Sequence, residues 1–134
     1  MKIDRKRAVL HNVFALSVCA ALISPALAAQ IYAIDGDTIV MDGETIRLAN
    51  IDAPETHQAK CDAELRLGEV AKRRMEALIT SDPVTLIRGD GGRMKDKYGR
   101  SLARVIVDGH DVGEILVAEQ LARPWDGRRH PWCE

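Results

Sequence analysis

Residues 31–49 read Ile-Tyr-Ala-Ile-Asp-Gly-Asp-Thr-Ile-Val-Met-Asp-Gly-Glu-Thr-Ile-Arg-Leu-Ala. Residues 31–34 and 38–41 are short β-prone pieces separated by Asp35-Gly36-Asp37. Asp42-Gly43 is a tight-turn pair, and residues 45–49 follow it as another β-prone piece. The stretch therefore predicts a hairpin beside an acidic corner.

Downstream, Pro54 stops the next segment from simply continuing, and residues 63–79 carry Leu67, Ala71, Met75 and Leu78 at helical spacing. These four are expected in the core. Asp82-Pro83 ends the helix, and residues 84–87 read as a strand. Glycines 89, 91 and 92 open a charged loop that reaches Tyr98-Gly99, and residues 101–107 form another strand. After the Asp108-Gly109 turn, Asp111 and Glu114 make a capping box for a short helix with Val112, Ile115 and Leu116 facing inward, ending near Gln120. From Arg123 onward the tail has no usable period, so its order should depend on Trp125 and Trp132 packing or on Cys133. Short strands, one helix inserted between them and one after them predict a mainly β fold with α additions, a small barrel rather than a parallel α/β sheet.

The chain has 134 residues, 46% hydrophobic and 29% charged, with 19 Lys plus Arg against 20 Asp plus Glu, which suits one domain. Its start has a different character. Lys2, Arg5, Lys6 and Arg7 precede an apolar run over residues 13–23, and Ala26-Leu27-Ala28 offers a cleavage spacing. Residues 1–28 are expected to be a removable export signal. A membrane anchor is the rival reading, although His11, Asn12 and Pro25 shorten the apolar stretch, and Val18 argues against lipidation at Cys19. Removing residues 1–28 leaves 106 residues with 15 basic against 19 acidic, destined for the periplasm or the outside of the cell and without stable membrane association. Such a balance excludes a protein held on nucleic acid by overall positive charge, but not local Arg and Lys contacts with phosphate.

Cys61 and Cys133 remain after that removal. In an oxidising compartment they are expected to pair, two unpaired thiols being the alternative. Zinc is not expected, because His57, His110 and His130 are scattered. Gly89-Asp90-Gly91-Gly92 lacks the Gly-Lys-Ser/Thr of a phosphate-binding loop. Ile39 and Val40 stand where a calcium loop of the EF-hand kind needs an oxygen donor and a glycine.

Asp35, Asp37, Asp52 and Glu55, with Arg47 and Arg100, are the more informative set. If the pieces bearing Asp37 and Asp52 lie side by side, their carboxylates can converge on a hard cation. Glu55 could then activate or orient water, and the arginines could hold phosphate oxygens. Phosphodiester hydrolysis is the chemistry suggested; surface turn carboxylates and solvent-facing arginines are the competing explanation of the same spacing.

Asp35-Gly36-Asp37-Thr38, Ile46-Arg47-Leu48, Ile51-Asp52-Ala53-Pro54-Glu55 and Asp96-Lys97-Tyr98-Gly99-Arg100-Ser101-Leu102-Ala103, in that order, resemble the signatures of the staphylococcal nuclease, or thermonuclease-like, family. Leu116-Val117 and Leu121-Ala122 resemble its closing helix and strand. The resemblance implies a five-stranded OB-fold barrel of the staphylococcal nuclease type over residues 29–123, followed by a tail over residues 124–134 that the disulfide would tie. It also implies calcium-dependent hydrolysis of DNA and RNA leaving 3′-phosphate ends. By resemblance, Asp37 and Asp52 are metal carboxylates, Ala53 lends its backbone carbonyl, and Asp35 shapes the metal environment. Glu55 matches the water-activating residue, and Arg47 and Arg100 match the phosphate-binding arginines. Lys95, Lys97 and Tyr98 are candidate substrate contacts.

Three departures matter, one being that the strand before Asp35 is unusually short once residues 1–28 are removed, so that the first barrel strand is expected to be incomplete. Gln120 stands where relatives often have glycine, so that helix cap is expected to be strained or differently shaped. The tail lacks the tyrosine-bearing segment of the staphylococcal type, which bears on substrate affinity. The functional alternative is a noncatalytic oligonucleotide-binding module; either way the chain is expected to act as a monomer.

Overall fold

The structure is a computed structural model that describes residues 28–134. The export signal read over residues 1–28 lies, all but its last residue, outside the described residues.

Three strands, β1 (Ile31–Asp35), β2 (Thr38–Met41) and β3 (Glu44–Leu48), form an antiparallel meander with Thr38 opposite Arg47 and Ile39 opposite Ile46. The hairpin expected from Asp42-Gly43 is present, and both turn residues adopt positive φ. After β4 (Ile51–Asp52) comes helix α1 (Asp62–Ser81), then β5 (Val84–Arg88), β6 (Ser101–Val107), β7 (His110–Asp111), helix α2 (Val112–Ala118) and β8 (Arg123–Pro124). The main sheet runs β1-β2-β3-β6-β5, with β7 added to β6, and its one parallel pairing joins β3 to β6. β4 and β8 make a separate antiparallel pair. Among the described residues the architecture is mainly β with two α-helices.

Alternation places the core. In β6, Ser101, Ala103, Val105 and Val107 are buried while Leu102, Arg104 and Ile106 are only half-buried. Ile39, Ile46, Leu48, Ile51, Met75, Ile79, Val112 and Leu116 fill the interior, each fully buried aliphatic side chain contributing roughly 1.5–3 kcal/mol.

Helix α1 differs in rotation from the expectation. Ala71 and Met75 are buried as read, but Leu67 and Leu78 are half-buried, and the inward face is Glu64, Gly68, Ala71, Met75 and Ile79. Close approach explains the rotation. A Cβ on Gly68 would stand 2.7 Å from the Glu55 carbonyl oxygen and 3.0 Å from that of Pro54, so only glycine lets the helix touch this turn. Gly36 does the same on the other side, where an added Cβ would lie 2.7 Å from Ala71 Cβ and 2.9 Å from Ala53 Cβ. These two glycines press the acidic corner against α1.

Helix α2 starts where expected with one half of the capping box, the Asp111 carboxylate accepting a hydrogen bond from Glu114 N at 3.1 Å. At its other end Gln120 takes φ +63°, with Gln120 N donating to Val117 O at 3.0 Å and Leu121 N donating to Leu116 O at 2.9 Å. The cap keeps the shape a glycine would give, at a cost of roughly 1–2 kcal/mol for a residue bearing a Cβ.

Candidate active site

β2 and β3 bring Asp37 and Arg47 together, and the short β4 adds Asp52. All three are buried, at 3%, 6% and 4% exposure. Arg47 Nη2 lies 3.2 Å from Asp37 Oδ2 and 3.3 Å from Asp52 Oδ1, so one nitrogen bridges two carboxylates. Its Nη1 donates to the Leu48 carbonyl at 2.6 Å and the Ile51 carbonyl at 2.8 Å, which fixes the bend between β3 and β4 around the guanidinium. Asp37 is held further by Ala53 N donating to Oδ2 at 2.7 Å and Thr38 Oγ1 donating to Oδ1 at 2.9 Å. Burial draws the Arg47 guanidinium below its ordinary pKa against the opposing pull of Asp37 and Asp52. It also pushes the Asp52 carboxyl above the usual carboxylate range, against Arg129 and Arg47.

Glu55 stands one turn beyond Asp52. Its backbone N–H donates to Glu64 Oε1 at 3.3 Å, and Lys60 N donates to Glu64 Oε2 at 2.7 Å, so the buried Glu64 of α1 pins the whole turn. Asp35 is engaged elsewhere: its Oδ1 accepts from both the backbone N–H (3.2 Å) and the hydroxyl of Thr56.

Arg100 immediately precedes β6 and is held by Asp96, whose Oδ2 accepts from Arg100 Nε at 2.6 Å and whose Oδ1 accepts from the backbone N–H groups of Tyr98 and Arg100 at 2.9 Å each. Burial would raise the Asp96 pKa, but these hydrogen bonds outweigh it and hold the group below its ordinary value. Arg47 and Arg100 line one open cavity of about 730 Å³, together with Lys97, Tyr98, Trp125 and Arg129. Lys95 is not among the residues lining it; its backbone bridges to Ser101.

The tail completes the site in a way the sequence reading did not foresee. Cys61 and Cys133 Sγ are 2.02 Å apart, at bonding distance, and Arg123 Nη1 donates to Pro131 O at 2.9 Å. The loop so held places Arg129 on the carboxylates, where Nη1 donates to Glu55 Oε1 and Nε lies 3.5 Å from Asp52 Oδ1. Burial would lower the Arg129 pKa, but the Glu55 hydrogen bond and the surrounding carboxylates carry it above its ordinary value. The one signal in the sequence is the Cys61–Cys133 pair, which brings the tail within reach of residues 55–61 without singling out Arg129.

The donor set suits a hard cation. Asp37 Oδ2 and Asp52 Oδ1 both lie within 3.3 Å of one nitrogen, and three carboxylates here, Asp37, Asp52 and Glu55, face the two guanidiniums of Arg47 and Arg129. Three carboxylates do not converge on one point. Among the described residues the one group of three potential ligand side chains within 4.8 Å is Cys61, Glu64 and Cys133, whose sulfurs are joined. A cation shell would thus be two carboxylates completed by backbone carbonyl and water.

The described residues form a mainly β domain that sets buried carboxylates beside arginines lining an open groove. The family model described as staphylococcal nuclease homologue matches residues 45–130, and the chain belongs to that family, whose fold is of the OB type. Endonuclease YncB of Bacillus subtilis (strain 168) is 43% identical over 95 residues, covering 68% of this chain and 44% of its own length. The SPbeta prophage-derived endonuclease YokF of the same strain is 42% identical over 95 residues, covering 68% of this chain and 31% of its own length. The succinoglycan biosynthesis protein ExoI of Rhizobium meliloti (strain 1021) is 34% identical over 92 residues, covering 66% of this chain and 47% of its own length. The chain thus spans less than half the length of each of these relatives.

Proposed function

We propose that this protein is a calcium-dependent nuclease that hydrolyses phosphodiester bonds in DNA and RNA and leaves 3′-phosphate ends. The observation that carries the reading is Arg47, which lines the open cavity while bridging Asp37 and Asp52. A noncatalytic oligonucleotide-binding module has little physical need for buried carboxylates beside an anionic backbone. Two relatives named endonucleases support the same view.

Asp37 and Asp52, with the Ala53 carbonyl, would hold the cation, which supplies positive charge next to the scissile phosphate. Arg100 donates hydrogen bonds to the non-bridging phosphate oxygens through its Nη groups, and Arg47, whose Nη groups already serve four acceptors, through its Nε–H; both stabilise charge that builds up there during attack. Glu55 orients the attacking water and accepts its proton as the water oxygen bonds phosphorus, while the P–O5′ bond breaks and the departing 5′ oxygen takes a proton from solvent. For that, Arg129 has to release or share the Glu55 oxygen it holds in this structure. Asp35 acts indirectly, by tying Thr56 and so the turn that carries Glu55. We read residues 1–28 as an export signal and the working form as a monomer in the periplasm or outside the cell. Among the described residues no helix is long and apolar enough to cross a membrane.

The test is cleavage of single-stranded DNA, duplex DNA and RNA by purified protein, with calcium and then with chelator. Calcium-dependent cleavage is expected, together with a loss of turnover of at least about 10²-fold in Glu55→Gln, the lower end for positioned acid–base catalysis. Binding without cleavage of any substrate would favour the noncatalytic module instead.

A further inference from the structure

Resting on the nuclease reading above, we propose that the disulfide-held tail is the second wall of a groove that takes a single strand of nucleic acid. One wall is the charged loop before β6, with Lys97, Tyr98 and Arg100. The other is the tail, with Trp125, Arg128 and Arg129, and both line the same cavity of about 730 Å³.

Each wall combines an open ring with cations. Tyr98 is 72% exposed and Trp125 39% exposed, a large fraction for an indole. Lys97 Nζ and the Arg100 guanidinium lie 5.0 and 5.5 Å from the Tyr98 ring centroid, and the Arg47 guanidinium lies 5.9 Å from that of Trp125. Six cationic side chains border the cavity against two carboxylates, Asp90 and Asp96. Asp90 is paired with Arg104 and Asp96 with Arg100. Among the described residues Arg128 and Lys97 form no ion pair and so are available to phosphate. Cations that track a backbone beside exposed rings that stack bases are the pattern of single-strand grooves. A ring can stack on a base only when that base is unpaired, because duplex bases cover one another. A single strand is therefore the occupant.

The tail wall is anchored at both ends. At its start β8 pairs with β4, and Trp125 N donates to Asn50 O at 2.9 Å. At its end Cys133 is joined to Cys61, and Trp132 lies under the Arg123 guanidinium at 3.7 Å. Between the anchors, Asp126 accepts from Arg128 N at 3.3 Å and contacts His130 Nε2 at 2.7 Å. Loss of the second anchor frees Arg128 and Arg129 while leaving the Lys97–Arg100 wall in place.

The experiment measures binding of a fluorescein-labelled oligothymidylate of about eight nucleotides, and of a duplex of equal length, by anisotropy in chelator, where nothing is cleaved. The single strand is expected to bind at least about 5-fold more tightly than the duplex. Trp125→Ala should weaken binding about 5-fold or more, the lower end for base stacking, with Trp125→Phe recovering most of it. Arg128→Ala, at an exposed position, should reduce the slope of log affinity against log salt by about 0.7, one phosphate contact. Cys61→Ser/Cys133→Ser should weaken binding at least as much as Trp125→Ala. Affinities within twofold of wild type for all of these variants, or equal affinity for duplex, would overturn the proposal. Strand binding that depends on the tail, with no cleavage in calcium, would remove the nuclease reading and keep the groove. Cleavage in calcium with binding indifferent to the tail would do the reverse.

Discussion

Replacing Arg47 with Met is the most informative perturbation of the corner. The guanidinium is 6% exposed and serves four acceptors: the Asp37 and Asp52 carboxylates and the Leu48 and Ile51 carbonyls. Methionine fills much of the volume and supplies no donor. Asp37, 3% exposed, would keep only Ala53 N and the Thr38 hydroxyl, and Asp52 would keep Arg129. Breaking a buried pair by removing one partner costs about 3–5 kcal/mol, a large share of the roughly 5–15 kcal/mol that holds a domain folded. At about 4–8 °C per kcal/mol for a domain of this size, Tm in chelator should fall by roughly 12 °C or more. The loss should also depend on pH. Burial already raises the Asp52 pKa above its ordinary 3.8, and without Arg47 it rises further. A carboxyl whose folded pKa is raised weakens the fold above that pKa and is relieved as pH falls through it toward the unfolded value. The gap between variant and wild type should therefore narrow on acidification toward pH 4. A divalent cation between Asp37 and Asp52 would supply the missing charge, and at 100 times its Kd would return about 2.7 kcal/mol. Urea unfolding followed by circular dichroism, in chelator and in calcium, measures all three effects. A loss below about 1 kcal/mol at pH 7 in chelator would refute the reasoning, because the bridge would then not be holding the carboxylates.

Gly68→Ala should cost about 1–3 kcal/mol, because its Cβ would press on the carbonyls of Pro54 and Glu55, and calcium-dependent cleavage should fall with it as Glu55 shifts; denaturant midpoints and initial rates check this. Loss of the Cys61–Cys133 link, separated by 72 residues, should cost on the order of 4 kcal/mol by chain entropy, read from thermal unfolding with and without reductant, while intact mass counts the thiols and locates cleavage after Ala28 or Ala29. Hydrogen bonds from Arg88 and Ser101 lower the Glu44 pKa from 4.5 to about 2, so that its stabilising contribution is full above pH 4.5 and lost as pH falls through 2. Because the Arg88 pair is solvent-exposed, Glu44→Gln should cost less than about 1 kcal/mol at pH 7, with the cost shrinking as pH falls from 4.5 through 2, as measured by urea midpoints across that range.

What could be read in the sequence and what could not divide along physical lines. β2, β3, β5 and β6 announce themselves because β-prone residues alternate between turn pairs, and α2 because Asp111 and Glu114 sit at capping distance. β4, β7 and β8 are two residues each, too short to carry a period, and form only because a neighbouring backbone offers partners. On α1, a reading by hydrophobicity favours Leu67 and Leu78, whereas close approach at Gly68 and the carboxylate work of Glu64 decide the inward face. The polar set at Asp37, Arg47, Asp52 and Glu55 was legible as a group because it lies within twenty residues. Arg129 was not, because its contact with Glu55 spans 74 residues and depends on a tail without periodicity.

Charge gives these pieces a common logic. A domain with more acidic than basic residues cannot attract a polyanion by its overall field, and concentrating carboxylates at one corner would repel a phosphate further. Arg47 resolves the conflict by position. Its guanidinium bridges Asp37 and Asp52 and also lines the cationic cavity, so the anionic corner meets the groove through a positive group. Arg129 makes the same junction from the tail, through Glu55 and Asp52. A phosphate drawn along the groove by Lys97, Arg100 and Arg128 would meet cations before it met carboxylates. Under the proposed function, the cation held by Asp37 and Asp52 then adds positive charge at the one place where the arginines are already committed to acids.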